Sequence, residues 1–262
     1  MDMSACHSSL AGPRQTRFAT PHAATRYPPA APRRPGPRAR RLRRLRLSLR
    51  RCRALAWLLV LVATGLQAAS PRPFEARYRL EVTNWPSAVV EHRLSHDGTH
   101  WQSDMRAAIS LARGHERSRF TADDDVRATF YTSGYRLFGI GETYMLGREA
   151  LTRLPDRQTA LFNLSRRATQ EGCESPCSLH YLDHRGREEQ LAYRRLEART
   201  LDLPVGRIDA VRVEVTDPDA AQRRLTFSFH PEVPGLLLAM TYHRDGQQRS
   251  HLTLTGLQLD PP

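Results

Sequence analysis

The chain contains no lysine, so all 40 of its basic residues are arginine. Against 27 acidic residues the formal net charge is +13, which is typical of a protein that meets nucleic acid or a membrane surface. The excess is confined to the start of the chain. At or before Arg53 there are 14 arginines and one acid, whereas residues 54–262 carry 26 arginines and 26 acids. We therefore expect no nucleic-acid partner for residues 54–262.

Recognisable catalytic and cofactor signatures are also missing. There is no G-x-S-x-G nucleophile elbow, and Gly139-Ile140-Gly141 lacks the third glycine of a phosphate-binding loop. Asp123–Asp125 lacks the spaced oxygen ligands of a calcium loop and is interpreted as a solvated turn. The sequence predicts no catalytic, cofactor or metal site, and a hydrolase whose residues converge only in three dimensions is the alternative. Four histidines follow no spacing that is typical of a site and are interpreted as surface residues: His92, His96, His100 and His115.

Cysteine is scarce, with four in the chain and two of them before residue 54. The other two, Cys173 and Cys177, lie in the stretch CESPCSLHYLDH together with His180 and His184. The short separation between Cys177 and His180 does not fit the usual spacing of zinc ligand pairs. In an oxidising compartment a disulfide between Cys173 and Cys177 is favoured. Free thiols and a metal site are the alternatives.

Near its start the chain contains a segment with the pattern of an export signal. Ala54–Ala69 (ALAWLLVLVATGLQAA) is apolar, follows the arginine-rich segment and ends in small residues. We predict cleavage near Ala69–Pro71 and a periplasmic location. An uncleaved inner-membrane anchor formed by residues 54–69 is the alternative. Residues 1–53 are interpreted as a disordered basic leader or as the product of an upstream start codon, and residues 70–262 as one β domain.

Short alternating runs dominate the chain after the signal segment. Phe74–Val82 places Phe, Ala, Tyr, Leu and Val on one face and charged residues on the other. Tyr135–Leu146 and Ala160–Leu164 are predicted as further strands, and Glu149–Leu154 is the only helix candidate because Pro155 follows it. Up to eleven strands at hairpin spacing predict a mainly β protein with little helix, built as an antiparallel meander.

The closing third of the chain resembles a known family. The order of LPVGRIDAVRVEV, RRLTFSF and PGLLLAMTYHRDGQQRSHLTLTGLQL is similar to the bacterial secreted family called domain of unknown function 3108. The resemblance covers roughly residues 74–259. It implies a periplasmic protein with a single curved antiparallel sheet, an outline similar to the unclosed β-barrels of lipoprotein-localisation carriers. That family has no established activity, so the resemblance implies no catalytic residues.

Large apolar residues recur on one parity of several strands. We expect the concave face of the sheet to form an apolar groove for a hydrophobic or lipid-like ligand, with no catalysis. A small barrel that fills its interior with these side chains is an equal alternative. An envelope structural or assembly factor that engages a protein partner through sheet edges is the other candidate function. Apart from the signal segment, no membrane contact is expected. The predicted groove residues are Phe74, Tyr78, Leu80, Phe227, Phe229, Leu236, Leu238, Leu252 and Leu254.

Overall fold

Antiparallel strands account for most of the chain after the signal segment. The computed structural model describes residues 70–109, 112–123, 125–170, 173 and 176–260. The predicted leader (residues 1–53) and signal segment (54–69) lie outside these residues. The strands are β1 (Phe74–Val82), β2 (Ala88–His96), β3 (Trp101–Ile109), β4 (Ala112–Ala122), β5 (Val126–Leu137), β6 (Ile140–Leu146), β7 (Cys177–Leu182), β8 (Glu188–Leu203), β9 (Gly206–Asp217), β10 (Ala220–Phe229), β11 (Leu237–Arg244) and β12 (Gln247–Leu259). A 3-10 helix (Ala150–Thr152) and the α-helix α1 (Arg157–Thr169) lie between β6 and β7.

All twelve strands belong to one sheet, in the order β6-β5-β4-β3-β2-β1-β12-β11-β10-β9-β8-β7. Each strand pairs antiparallel with its neighbours, and the first and last strands of the chain, β1 and β12, meet in the middle. The outer strands β6 and β7 do not pair with each other, so the sheet is not closed. The predicted fold class, a mainly β chain with a single unclosed antiparallel sheet, is confirmed.

Side chains and a short bridge join the two outer strands across the opening. The ring of Tyr144 on β6 packs edge-on against His184, with ring centroids 4.8 Å apart. The Arg185 guanidinium lies 5.5 Å from the centre of the same ring. Two residues before His184, Leu182 N donates a hydrogen bond to Pro155 O at 2.8 Å. The sheet therefore curves until its edges nearly meet.

The predicted single strand Tyr135–Leu146 is wrong, because the structure places a hairpin turn inside it. β5 ends at Leu137 and β6 begins at Ile140, with Phe138 at φ 51° and Gly139 at φ 85° between them. Two consecutive positive φ angles are typical of a two-residue hairpin turn, which usually carries Asn-Gly. Phe138 occupies the position where asparagine is usual, so the sequence does not show the Asn-Gly pair that would predict this turn.

The predictions around the helix are also wrong. Ala160–Leu164, expected as a strand, lies inside α1, and Glu149–Leu154 forms only a 3-10 turn. Asp156 caps α1, accepting hydrogen bonds from the backbone N–H groups of Gln158 and Thr159. Pro155 therefore precedes a helix start. The helix lacks a continuous apolar stripe because three of its seven buried residues are polar, so its period is not visible in the sequence.

The main core lies between α1 and the concave face of the sheet. The Phe162 ring packs on the Phe120 ring of β4, with centroids 4.7 Å apart. Ser165 Oγ accepts a hydrogen bond from Gly235 N at 2.7 Å and ties the helix to the loop between β10 and β11. The helix therefore fills part of the interior that the curved sheet encloses.

Candidate functional site

The nine predicted groove residues divide into two groups. Six of them are at most 1% exposed and belong to the packed core: Phe74, Tyr78, Phe229, Leu236, Leu238 and Leu254. The other three, Leu80, Leu252 and Phe227, lie in one row across the sheet together with Met240. Leu80, Phe227 and Met240 are only half-buried. The buried group belongs to the packed core, whereas three of the four residues in the second row are partly exposed.

A cavity of about 270 Å³, which we call the mouth cavity, lies beside the neighbouring row of the same sheet. Val215, Leu225 and Tyr242 pair across β9, β10 and β11 and form the row next to Phe227 and Met240. Tyr181 and Leu191 complete the apolar part of its wall. Directly paired residues share one face of a sheet. The mouth cavity is therefore part of the same concave face as the predicted groove.

Polar groups at the start of α1 close one side of the mouth cavity. Arg157, the first helical residue, lines it and forms an ion pair with Glu116 of β4. Tyr131 OH donates a hydrogen bond to the same carboxylate at 2.5 Å. Burial, and secondly the Glu116 charge, raises the pKa of the Tyr131 phenol, so that it remains a neutral donor. A charged cluster beside an apolar wall suits an amphipathic ligand.

The interpretation of His92 as a surface residue is wrong. It points inward from β2 with 7% of its surface exposed, and its ring packs edge-on against Phe74 at 5.0 Å. His92 Nε2 lies 2.9 Å from Ser103 Oγ, while Nδ1 has no partner among the described residues. The adjacent cavity has about 20 Å³, enough for one water. A serine nucleophile needs an orienting acid on the second nitrogen and room for a substrate, so this pair lacks that geometry.

The cysteine pair occupies the loop between α1 and β7. Cys173 and Cys177 form a disulfide with a Cα–Cα distance of 6.3 Å, as the sequence predicts. His180 lies on the opposite face of β7 from Cys177 and is exposed, and His184 packs against Tyr144. Within the part of the chain that the structure describes, no three or more His, Cys, Asp or Glu residues come together as metal ligands.

A second surface feature is the exposed β5–β6 hairpin. Every residue from Tyr135 to Thr143 is exposed, on both faces of the hairpin. Its apolar members include Phe138 (71% exposed) and Ile140 (81%) at the turn. β6 is an outer strand of the sheet, and this part of it pairs only with β5. Exposed apolar edges of this kind are typical of interaction surfaces.

Comparison with known proteins yields fold-level similarity only. No family model matches the chain and no curated protein matches it, so the resemblance to domain of unknown function 3108 is not confirmed. A β-barrel-like protein of domain of unknown function 1849 from Brucella abortus is 11% identical, covering 74% of this chain and 100% of its own, with a TM-score of 0.46. A candidate exported protein with a YmcC-like fold from Bacteroides fragilis is 8% identical, covering 72% and 98%, with a TM-score of 0.36. A candidate outer membrane lipoprotein-sorting protein domain from Vibrio parahaemolyticus is 8% identical, covering 72% and 86%, with a TM-score of 0.30.

Among the residues that the structure describes, no helix has both the length and the apolar character needed to cross a bilayer.

Sequence reasoning found the concave face but missed the cluster of Arg157, Glu116 and Tyr131, because these residues are up to 41 positions apart. Asp156 was the available signal, since aspartate is one of the residues preferred at the N-cap of a helix.

Proposed function

We propose that the protein binds an apolar or amphipathic ligand in the mouth cavity of its unclosed barrel. The observation that supports this is the continuous row of Val215, Leu225 and Tyr242, which lines open space next to the half-buried Phe227 and Met240. The cavity of about 270 Å³ is close to the lower limit of about 300 Å³ for small-molecule sites. A single acyl-type chain with a polar, uncharged head fits this chemistry, because Arg157 is paired with Glu116 and three carboxylates also line the cavity: Asp183, Glu189 and Asp217.

A fluorescent fatty-acid probe titrated onto the full chain tests the proposal. Leu225→Gln places a polar amide on the cavity wall and should weaken binding about tenfold. Thr226→Gln is the matched control, because Thr226 lies on the opposite face of the same strand and should leave the affinity unchanged. Equal affinities of the two variants, or no saturable binding to the unaltered protein, would contradict the proposal.

Export to the periplasm is the second part of the proposal. Its support is the sequence pattern of Ala54–Ala69, an apolar segment between an arginine-rich flank and small residues. The intact mass of protein isolated from the periplasm should correspond to a start near Ala69–Pro71. A mass that retains residues 54–69 would support the membrane-anchored alternative instead.

A role as an envelope structural or assembly factor is the alternative function, and the β5–β6 hairpin favours it. Phe138 and Ile140 are exposed at its turn, where they contribute nothing to the core. A protein partner that co-purifies with the unaltered chain should then be lost with Phe138→Ser/Ile140→Ser and retained with Leu225→Gln. Loss of ligand binding with Leu225→Gln and an unchanged interaction profile of the hairpin variant would favour the carrier.

A further inference from the structure

A groove of about 700 Å³ lies on the outer side of α1, away from the mouth cavity. One wall is the helix face formed by Asn163, Arg166, Arg167 and Gln170, whose spacing of three and four residues places them together. The opposite wall comes from the start of β5 and from the segment around the 3-10 helix. Leu151, a member of a small core cluster with Ala128, Tyr131, Leu146 and Leu182, forms part of its apolar lining.

Arginines dominate the lining of this groove, which we call the arginine groove. Five arginines line it, and Asp125 is the single carboxylate among the described lining residues. Residues 54–262 carry equal numbers of arginines and acids, so this is a local concentration of charge in a segment without net charge. The five are Arg127, Arg148, Arg153, Arg166 and Arg167.

Counting only acids that the structure describes, two of the five have an acidic partner. Arg127 pairs with Asp125 at 3.4 Å, with both side chains more than three-quarters exposed, and Arg153 pairs with Glu188. Arg166 instead donates a hydrogen bond to Asp123 O at 3.0 Å, which holds its guanidinium in place without neutralising it. Exposed ion pairs of this kind contribute little and are easily replaced.

For the other two, Arg148 and Arg167, no carboxylate of the described residues lies within 4.0 Å. Three guanidinium groups that no described carboxylate neutralises therefore face one groove. Such groups have fixed donor geometry that suits phosphate and carboxylate oxygens.

A second cavity of the protein differs from the arginine groove, because most of its arginines are paired with acids. It has about 560 Å³ and lies on the outward face of β1–β4. Three of its four lining arginines form cross-strand pairs with its three acids, and Arg106 is the one without an acidic partner among the described residues. The pairs are Arg77–Glu91 at 3.5 Å, Arg93–Glu75 at 3.4 Å and Arg117–Asp104 at 2.6 Å.

We propose that the arginine groove is a separate binding site for a multiply charged phosphate-bearing group. Its volume of about 700 Å³ and its three guanidinium groups without a described acidic partner suit two or more phosphates better than one ion. A free polyphosphate and a phosphorylated lipid headgroup present the same chemistry to it. The proposal does not depend on a ligand in the mouth cavity.

Isothermal titration of the full chain with inorganic tripolyphosphate tests the site. Arg148→Gln/Arg167→Gln should weaken binding about tenfold or more, because both groups are exposed donors without acidic partners. Arg79→Gln/Arg113→Gln is the matched control, since it removes the same charge from exposed positions outside the groove. The arginine-rich leader is identical in all three proteins, so the difference between the variants reports the groove.

Hydrogen–deuterium exchange locates the bound anion independently of affinity. Tripolyphosphate should protect residues 148–155 and 163–170, and protection confined to residues 1–53 would overturn the proposal.

Flotation with phosphatidylglycerol vesicles, with phosphatidylcholine vesicles as the control, identifies the source of the phosphate. Binding to phosphatidylglycerol vesicles alone, lost with Arg148→Gln/Arg167→Gln, supports the site with a lipid headgroup as ligand. Equal losses in the two double variants, or no binding in either assay, would overturn it.

Discussion

Ser118 on β4 donates a hydrogen bond to Asp156 at 2.7 Å, joining the sheet to the start of α1 across 38 residues of chain. Both residues are completely buried. The same carboxylate accepts hydrogen bonds from the Thr159 hydroxyl and from the backbone N–H groups of Gln158 and Thr159. One side chain therefore caps the helix and positions it against the concave face, which places Arg157 beside the mouth cavity.

Asp156→Ala should destabilise the protein by about 2–4 kcal/mol, because it removes the helix cap and leaves buried donors without an acceptor. Burial raises the pKa of Asp156 despite its hydrogen bonds, so the negative charge itself does not stabilise the fold. Asp156→Asn keeps an acceptor for the two backbone groups and should lower stability by less than half as much. Urea unfolding measures both variants. Equal losses would show that the charge matters more than the cap.

The stability of the protein should fall as the pH decreases from about 6.5 to about 4, with His92 as one cause. Burial lowers the pKa of His92 to about 4, although the Asp104 charge acts in the opposite direction. The unfolded histidine, with a pKa of about 6.5, binds a proton that the native one excludes in this range. The contribution reaches about 3 kcal/mol at the acidic end. Denaturant unfolding of His92→Gln should give a shallower pH profile, and an equally steep profile would contradict this account.

Gly235→Ala should destabilise the protein much more than Gly246→Ala. Both glycines have positive φ angles, 85° and 74°, so either substitution costs about 1 kcal/mol in backbone strain. A Cβ at Gly235 would lie 2.7 Å from the Phe162 ring, whereas one at Gly246 meets nothing within 4 Å. The overlap should add about 1–3 kcal/mol by displacing the helix. Thermal unfolding of the two variants makes the comparison, and similar midpoints would show that Phe162 moves freely.

Alkylation of the non-reduced protein should leave Cys173 and Cys177 unlabelled, because they form a disulfide. The bridge closes a short loop, so Cys173→Ser/Cys177→Ser should lower stability by only about 1–2 kcal/mol. Arg195 N donates a hydrogen bond to Cys173 O at 3.2 Å, which holds the loop against β8 after the bridge is removed. Rapid labelling of either thiol in the non-reduced protein would contradict the assignment.

The sequence by itself determined the strands and most of the hairpins, since these depend on alternation and on turn residues close in the chain. The inward parity of Phe74 and Tyr78 and the pairing of Cys173 with Cys177 follow from such local information. Prediction from the sequence failed where local signals conflicted with the fold. Phe138 occupies a turn position that usually carries asparagine, and the buried polar residues of α1 obscure the helical period.

Only the tertiary structure decided how the interior divides. The helix fills one part because Asp156 reaches Ser118 on β4, whereas the row of Leu225 lines a cavity that none of the described helices or strands fills. The arginine groove could likewise not be predicted from the sequence, because residues 54–262 have a net charge of zero. The fold brings Arg127, Arg148 and Arg167 together from separate segments. Alternation reports which face of a strand is apolar. Which part of that face is covered depends on contacts between residues far apart in the chain, and these form only when the sheet curves around the helix.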